Sequence, residues 1–350
     1  MTIDNQNASS TQITVIILPG LVEPTGLQIK QRTLPAPAKG EALIRMEATG
    51  VSFAEQQMRR GKYPAQPAFP FVPGYDLVGI VCAVGVGVSE SIIGTRVAVV
   101  TKVGGWATHV VLPASTLIPV PEALDPALVE TVLVNGITAW QMLHRKAHVK
   151  TGQTILVHGA NGGVGTILCQ IALHAGIRVI GTASPRHHEA LRALGVEPID
   201  YNDPALAKLV LERAPGGVDA VFDHLGLSSA RESFKALAPG GSLIAYGNAA
   251  AMNAAESPFT IFLKFICQIM VWDLLPNSRS ATFYNFWGGS RIAPKAFRSR
   301  MHEDLTALMG LLVKGAINPP VAAQLPLIEA SAAMILAESR TVQGKVVLIP

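Results

Sequence analysis

The hydrophobic pattern of this 350-residue chain changes near residue 133. Before that point, short runs of aliphatic and β-branched residues are separated by segments rich in glycine and proline, such as 70–74, which predicts strands and turns rather than long helices. The predicted strands cover 13–18, 41–48, 77–84, 96–100 and 107–112. The first part of the chain is therefore expected to be a mostly β domain.

Beyond residue 133, short apolar runs alternate with segments that have helical spacing. The predicted helices cover 134–147, 166–175, 186–194, 204–213, 228–237, 257–276 and 303–314. The predicted strands cover 155–157, 177–182, 197–199, 218–222, 242–246, 281–287 and 345–349. This alternation is typical of an α/β fold with a parallel sheet and right-handed crossovers, and the last strand is expected to return to the first domain.

The segment T-I-L-V-H-G-A-N-G-G-V-G at 154–165 joins the first of these later strands to a helix. Strand, glycine-rich turn, helix and second strand within about thirty residues predict a Rossmann βαβ unit, whose helix start binds a pyrophosphate. Ala160 stands where the common G-x-G-x-x-G motif has its first glycine. The expected cofactor contacts are Ala160, Asn161, Gly162, Gly163, Val164 and Gly165. A tight turn without a ligand is the alternative.

Composition narrows the choice of function. The length suggests about two domains, and 49% hydrophobic against 15% charged residues favours extensive internal or subunit burial. The formal net charge is only +4, and the basic residues are scattered along the chain. No basic face for nucleic acid is predicted, and an anionic small ligand is favoured.

The location of the protein is predicted from features of the chain start and of the cysteines. Residues 1–12 are polar and show no apolar export or anchor segment, so the sequon Asn7-Ala8-Ser9 carries no meaning. The longest uncharged runs, such as 151–177, are interrupted by Gly, Asn and Gln, and no integral membrane segment is expected. A cytoplasmic protein is predicted. Three cysteines without CxxC spacing are expected to be reduced core residues, namely Cys82, Cys169 and Cys267.

Five motifs carry a resemblance to a known family. They are G-V-S-F-A-E at 50–55, R-G-K-Y-P at 60–64, V-P-G-Y-D at 72–76, G-A-N-G-G-V-G at 159–165 and G-K-V-V at 344–347. Together they resemble the zinc-independent quinone oxidoreductase branch of the medium-chain dehydrogenase/reductase superfamily, the zeta-crystallin-like group. The resemblance implies a GroES-like substrate domain over 1–133 and 290–350, a doubly wound Rossmann domain over 134–289, and a cofactor cleft between them.

The resemblance also bears on metal binding. Many members of the superfamily hold a catalytic zinc with Cys, a His-Glu pair and another Cys, and the corresponding positions here carry Ser52 and Tyr75-Asp76. His187-His188-Glu189 and His302-Glu303 do not complete H-E-x-x-H. No metal is predicted. Without a Lewis acid, hydride transfer favours acceptors that delocalise the developing charge themselves.

Two residues are expected at the reacting end of the substrate. Tyr63 resembles the substrate-cleft tyrosine of quinone reductases and related enoyl thioester reductases, and a phenol can donate a proton to a developing enolate. Packing of its ring on proline is the alternative. Ser52 stands where this branch usually has Asn, and Glu55 where it has Asp. His224, which follows Asp223 at a strand end, is more often a structural residue.

The second strand of the βαβ unit points to NADPH as the cofactor. An NAD enzyme normally has an acidic residue at this strand end, whereas here Thr182-Ala183-Ser184 precedes any acid. The residues expected to surround a 2′-phosphate are Ser184, Arg186, His188, Arg192 and Tyr201. By resemblance alone, further cofactor contacts are Thr138, Tyr246, Gly247 and Lys345.

The sequence thus predicts an NADPH-dependent, zinc-independent oxidoreductase that reduces quinones or α,β-unsaturated carbonyls by hydride transfer. The expected partner is a small apolar electrophile, which is a quinone, an enone or an enoyl thioester. An enoyl thioester reductase with 257–276 lining an acyl tunnel, and a non-catalytic binding or structural protein that keeps the cofactor fold, are the alternatives. The resemblance implies a homodimer through the Rossmann edge strands. The helix over 257–276 is expected to cover the cleft or contact a second subunit rather than bind a membrane surface.

Overall fold

The computed structural model describes residues 10–63, 66–249, 258–339 and 341–350. The sequon at 7–9, Pro64 of the R-G-K-Y-P motif and Ser257 at the start of a predicted helix lie outside the described residues. The chain forms two compact units. The first is Met1–Val134 with Pro320–Pro350, and the second is Asn135–Pro319.

The elements are numbered along the chain. Within the described residues the strands are β1 (Thr11–Ile17), β2 (Gln28–Leu34), β3 (Glu41–Val51), β4 (Asp76–Val84), β5 (Arg96–Val100), β6 (His109–Pro113), β7 (Ile118–Pro119), β8 (Thr154–His158), β9 (Arg178–Ala183), β10 (Glu197–Asp200), β11 (Val218–Asp223), β12 (Leu237–Ala245), β13 (Ser280–Phe283), β14 (Val321–Pro326) and β15 (Lys345–Ile349). The α-helices of the same part are α1 (Phe53–Arg59), α2 (Pro126–Trp140), α3 (Gly163–His174), α4 (His188–Ala193), α5 (Leu206–Arg213), α6 (Leu227–Lys235), α7 (Pro258–Asp273), α8 (Pro294–Val313) and α9 (Ala330–Glu338). Helix α2 continues as a π-helical segment over Gln141–Lys146.

The first unit is built on a largely antiparallel sheet. Its strand order is β14-β15-β3-β4-β5-β7, β6 also pairs with β3, and β1 and β2 form a separate pair. Leu77 and Val81 lie on one face of β4 and share a core with Trp106 and Val346. The predicted mostly β domain is confirmed. The antiparallel pairing of β15 with β3 confirms that the end of the chain returns to it.

The second unit is built on a parallel sheet. Its order over the described strands is β10-β9-β8-β11-β12-β13. Strand β8 comes first in sequence and lies between β9 and β11, so the strand order reverses beside it. This is the doubly wound Rossmann order, which confirms the predicted fold class. In such sheets ligands bind at the carboxyl ends of the strands next to the reversal, where the turn at 159–165 lies.

The extent of the second unit differs from the prediction. The unit ends at Pro319, whereas the predicted boundary lay at 289/290. Helix α8 groups with this unit because its buried Asp304 accepts hydrogen bonds from Gln141 Nε2 (2.6 Å) and Arg145 Nε (2.8 Å). Hydrophobic spacing alone could not reveal these polar partners.

Several smaller features also differ from the sequence prediction. Helices α1 and α9 and strands β2 and β14 were not predicted, and β2 is almost fully exposed, so it lacks an apolar alternation. Cys169 is buried as expected, and burial raises the pKa of its thiol to about 12. The expectation of three core cysteines is wrong for Cys82 and Cys267, which are exposed.

Candidate cofactor and substrate sites

The glycine-rich turn links the end of β8 to the start of α3. Gly159 has a φ of +65°, a conformation that L side chains rarely adopt. Gly162 caps the helix and has no side chain with which to bond the first helical N–H groups. A Cβ on Gly165 would overlap the Gly159 carbonyl oxygen and lie 3.0 Å from Ala160 Cα. Helix α3 therefore packs directly on the strand end and presents free backbone donors, which fits a dinucleotide pyrophosphate.

A buried polar network holds the strands beneath this turn. His158 Nδ1 lies 3.2 Å from Thr182 Oγ1 and His158 Nε2 lies 2.9 Å from Ser233 Oγ. Ser233 Oγ donates in turn to Asp223 Oδ2 (3.0 Å). Burial lowers the pKa of His158, against the opposing effect of Asp223, so the imidazole is neutral. The network joins β8, β9, β11 and α6, and it could not be predicted from local hydrophobic patterns because its members are far apart along the chain.

A second group of residues gathers around His224, just after β11. A Cβ on Gly159 would lie 2.6 Å from His224 Cε1, and one on Gly247 would lie 3.1 Å from His224 Cβ. The Tyr246 ring lies 5.6 Å from the His224 ring, centroid to centroid. Two predicted cofactor residues, Tyr246 and Gly247, are thus brought to the glycine turn. His224 is the centre of this group, although the sequence favoured a purely structural role for it.

Thr138 and Asn135 lie on α2, in the part that belongs to the second unit. Thr138 is buried and is hydrogen-bonded to Tyr284. Asn135 was not predicted, yet a Cβ on Gly163 would lie 2.6 Å from Asn135 Nδ2. Asn135 therefore contacts the glycine turn from α2, a contact that only the tertiary fold reveals.

The residues predicted to bind a 2′-phosphate fall into two groups. Ser184 follows β9, Arg186 Nε lies 3.1 Å from His187 Nε2, and His188 Nε2 lies 3.1 Å from Ala183 O. Tyr201 is exposed and its backbone N–H donates to the same Ala183 O (3.3 Å). Ser184, Arg186, His188 and Tyr201 therefore meet at the carboxyl end of β9.

Arg192 lies elsewhere, which corrects its predicted place. It lines a surface cavity of about 450 Å³ with Glu197 and Arg213. Glu197 is the first residue of β10, which runs parallel to β9. The start of β10 therefore lies at the opposite end of the sheet from the carboxyl end of β9. Arg192 is four positions after His188 on α4, so it lies one helical turn farther from the end of β9.

In the first unit, Ser52 and Tyr63 belong to a group of hydroxyl side chains. Ser52 is the N-cap of α1 and forms a capping box with Glu55. The Ser52 hydroxyl donates to Glu55 Oε2, and Glu55 Oε1 accepts from Tyr75 N (2.7 Å). Tyr75 Oη lies 2.7 Å from Tyr63 Oη. Burial raises the pKa of Glu55. The buried carboxyl group of Glu55 thus holds the Ser52 hydroxyl and the Tyr75 backbone, and the Tyr75 hydroxyl forms a separate pair with that of Tyr63.

Lys345 was predicted as a cofactor contact, and the structure instead places it in a buried ion cluster of the first unit. Its ammonium lies 3.1 Å from Asp76 Oδ2 and 2.5 Å from Glu130 Oε1. Burial alone would lower the pKa of Lys345, but the two carboxyls raise it overall. Burial also raises the pKa of Glu130 well above its usual range, and Asp76 adds to the effect. The cluster compensates the charge of Lys345 inside the core.

The positions that hold zinc in related enzymes do not fit a metal here. Ser52 is engaged by Glu55, Tyr75 is a phenol, and Asp76 binds Lys345. Among the described residues, no three His, Cys, Asp or Glu side chains converge as metal ligands.

Within the residues that the structure describes, no helix has the length and apolar character needed to cross a bilayer.

Comparisons with known proteins agree with this fold. The family described as "Alcohol dehydrogenase GroES-like domain" matches residues 38–122, and the family described as "Zinc-binding dehydrogenase" matches residues 194–348. The chain is 32% identical to the synaptic vesicle membrane protein VAT-1 homolog of Rattus norvegicus, over 93% of this chain and 80% of the relative. It is 31% identical to a 2-haloacrylate reductase of a Burkholderia species, over 90% and 92%.

One similar solved structure contains a nicotinamide cofactor. A mycobacterial protein crystallised with NADPH superposes with a TM-score of 0.81 at 30% identity, over 97% of this chain and all of the other. Further matched chains bear the name quinone oxidoreductase. The fold and the glycine turn define a dinucleotide-binding oxidoreductase. The chain belongs to the zeta-crystallin-like quinone oxidoreductase branch of the medium-chain dehydrogenase/reductase superfamily.

Proposed function

We propose that this protein reduces quinones or α,β-unsaturated carbonyls and needs no zinc to do so. The observation that carries the proposal is that Ser52 and Tyr75 stand at positions where zinc-dependent relatives have metal ligands, with the Ser52 hydroxyl bonded to Glu55 and the Tyr75 hydroxyl paired with that of Tyr63. Hydroxyls polarise a carbonyl less strongly than a metal ion does. Acceptors that spread the incoming charge over a conjugated system are therefore favoured over simple ketones.

In this proposal the cofactor-binding residues belong to the second unit, and the proton donor belongs to the first unit. Gly162, Gly163 and Gly165 would hold the pyrophosphate, and Ser184 and Arg186 the 2′-phosphate. NADPH, when bound, supplies a hydride. Tyr63 holds a proton at Oη and gives it to the enolate oxygen or carbon that forms when an enone accepts the hydride. A reduced quinone takes its protons from water.

The test measures NADPH consumption with a quinone, an enone, an enoyl thioester and a simple ketone, before and after exhaustive chelation. We expect turnover of the quinone and the enone, unchanged by chelation, and little turnover of the ketone. Elemental analysis is expected to find no stoichiometric zinc. Loss of activity on chelation with recovery on added zinc would overturn the proposal.

An enoyl thioester reductase is the second candidate function. The paired hydroxyl of Tyr63 favours it, because such a reduction also ends with protonation of an enolate. The similarity to a protein named 2-haloacrylate reductase likewise supports an activated alkene as substrate. A kcat/KM for the thioester that exceeds those for the quinone and the enone by tenfold or more would favour this function.

We also propose that the protein is a homodimer.

A further inference from the structure

Tyr75 is the buried partner of the proposed proton donor. Only 4% of Tyr75 is exposed, whereas Tyr63 is half-buried. Their hydroxyl oxygens are 2.7 Å apart, a distance typical of a good O–H···O hydrogen bond. The two rings meet edge to face, with centroids 6.1 Å apart and an interplanar angle of 79°. The pair therefore has one member accessible to a substrate and one that is held in the protein.

The backbone of Tyr75 is held on both sides. Its N–H donates to Glu55 Oε1 (2.7 Å), and its carbonyl oxygen accepts from Thr101 N (2.9 Å) and Lys102 N (3.0 Å). Glu55 is in turn held by Ser52 N (2.9 Å). A side chain that starts from so constrained a backbone and is packed in a core has a fixed hydroxyl position. Tyr75 is thus suited to orient the more exposed phenol.

We infer that Tyr75 is a positioning residue for proton donation by Tyr63, an inference that rests on the proposed function. Tyr75 Oη–H donates to Tyr63 Oη, which leaves the proton of Tyr63 directed at the substrate. When the alkene has accepted the hydride, the O–H bond of Tyr63 breaks and its proton passes to the enolate. The electron pair stays on the Tyr63 oxygen, the hydrogen bond from Tyr75 stabilises that phenolate, and water returns the proton.

The direction of the effect follows from the charge of the phenolate. A hydrogen bond to a charged oxygen is stronger than one to a neutral oxygen, so Tyr75 favours the ionised form of Tyr63. Tyr75→Phe keeps the ring and removes only this donor. We expect the ionisation midpoint of Tyr63 to rise by about one pH unit. The kcat for an enone is expected to fall by about tenfold while KM changes little, because the donor acts in the transition state.

The experiment compares wild type, Tyr75→Phe, Tyr63→Phe and the double variant. The tyrosinate absorbance of the cofactor-free proteins is titrated with pH. The curve of Tyr63→Phe is subtracted from that of wild type, and the curve of the double variant from that of Tyr75→Phe, so that each difference isolates the ionisation of Tyr63. In Tyr75→Phe, the pH at which kcat falls on the alkaline side should rise by the same amount as the ionisation midpoint of Tyr63. The double variant should be no slower than Tyr63→Phe, because Tyr75 acts through Tyr63.

An unchanged Tyr63 midpoint in Tyr75→Phe, or rate losses that simply add in the double variant, would overturn the inference. Tyr75→His keeps a ring N–H donor and is expected to retain more activity than Tyr75→Phe. If Tyr75→Phe does not fold, Tyr75→His and Tyr75→Leu are compared in the same way. Failure of the proposed function is distinguishable, because a wild-type protein that reduces no enone still yields the titration.

Discussion

At the scale of single residues, a variant of Tyr63 can distinguish proton donation by its hydroxyl from packing of its ring. Tyr63→Phe removes the hydroxyl and keeps the ring. For an enone or an enoyl thioester we expect kcat to fall by about 10²- to 10⁴-fold, the range of general acid catalysis. Quinone reduction should fall much less, because a reduced quinone delocalises its charge and takes protons from water. Steady-state kinetics on the three acceptors give the comparison.

The contrast between substrates is the control in that experiment. Equal losses on all acceptors in a folded variant would mean that Tyr63 places the substrate or cofactor. Wild-type rates on every acceptor would make Tyr63 a packing residue. Thermal unfolding of the variant confirms that the fold is kept.

Lys345 is the cation of the buried ion cluster in the first unit. Lys345→Met leaves Asp76 and Glu130 buried without a counter-charge, and we expect a loss of about 3–5 kcal/mol in the free energy of unfolding. The loss should be smaller at pH 5 than at pH 8. Uncompensated buried carboxyls have raised pKa values, so the folded state binds more protons and gains stability as the pH falls. Denaturant unfolding at both pH values measures this.

Glu130→Gln is the matched control for that prediction. The pKa of Glu130 is already raised above its ordinary value of 4.5, so its ionisation opposes folding increasingly as the pH rises above that value. Removal of the charge should change the stability by less than about 1 kcal/mol at neutral pH. A Lys345→Met variant as stable as Glu130→Gln would contradict the assigned ion cluster.

At the scale of elements, two glycines of the turn differ in the space that is available for a Cβ atom. A Cβ on Gly165 meets backbone of the turn, so Gly165→Ala must push α3 away from β8. Gly162 has an extended φ of −78°, and a Cβ there meets only Gly159 O at 3.2 Å. We expect Gly165→Ala to lower the free energy of unfolding by about 1–3 kcal/mol and Gly162→Ala by less than 1 kcal/mol. Thermal unfolding without cofactor ranks them, and equal stabilities would refute the packing argument.

The end of β9 is the second element with a testable role. Arg186→Ala removes a cation from the group that also contains Ser184 and His188, and the KM for NADPH should rise about tenfold after screening by salt. The KM for NADH should hardly change, since NADH lacks the 2′-phosphate. Arg192→Ala is the control, because Arg192 lines a separate cavity. A variant of Arg192 that loses NADPH preference as strongly would reverse this assignment.

The elements also show how far the sequence determined the structure. The strands β5 and β15 and the whole βαβ unit were predictable because buried strands and glycine turns leave a local pattern. Exposed β2 leaves no such pattern. The places of Lys345, Arg192 and His224 depend on which distant elements meet, so local periodicity could not give them.

At the scale of the whole molecule, the apolar composition is only partly explained by the two cores. Helix α7 and the residue that follows it carry an apolar stripe of exposed side chains, which are Leu263 (50%), Met270 (60%) and Val271 (53%) on the helix and Leu274 (82%) directly after it. The helix contacts β13, which is an edge strand of the parallel sheet. Exposed stripes and open sheet edges are the features that subunit contacts cover.

The predicted homodimer should therefore depend on this stripe. Met270→Glu with Leu274→Glu places two charges on it, and we expect sedimentation to change from dimer to monomer at micromolar concentration, because burial of an unpaired carboxylate in a contact is strongly unfavourable. Val86→Glu is the control, since Val86 is 77% exposed and lies in the first unit. A dimer that survives both charges would move the contact away from α7. A wild-type monomer would end the dimer prediction itself and leave the stripe to another partner.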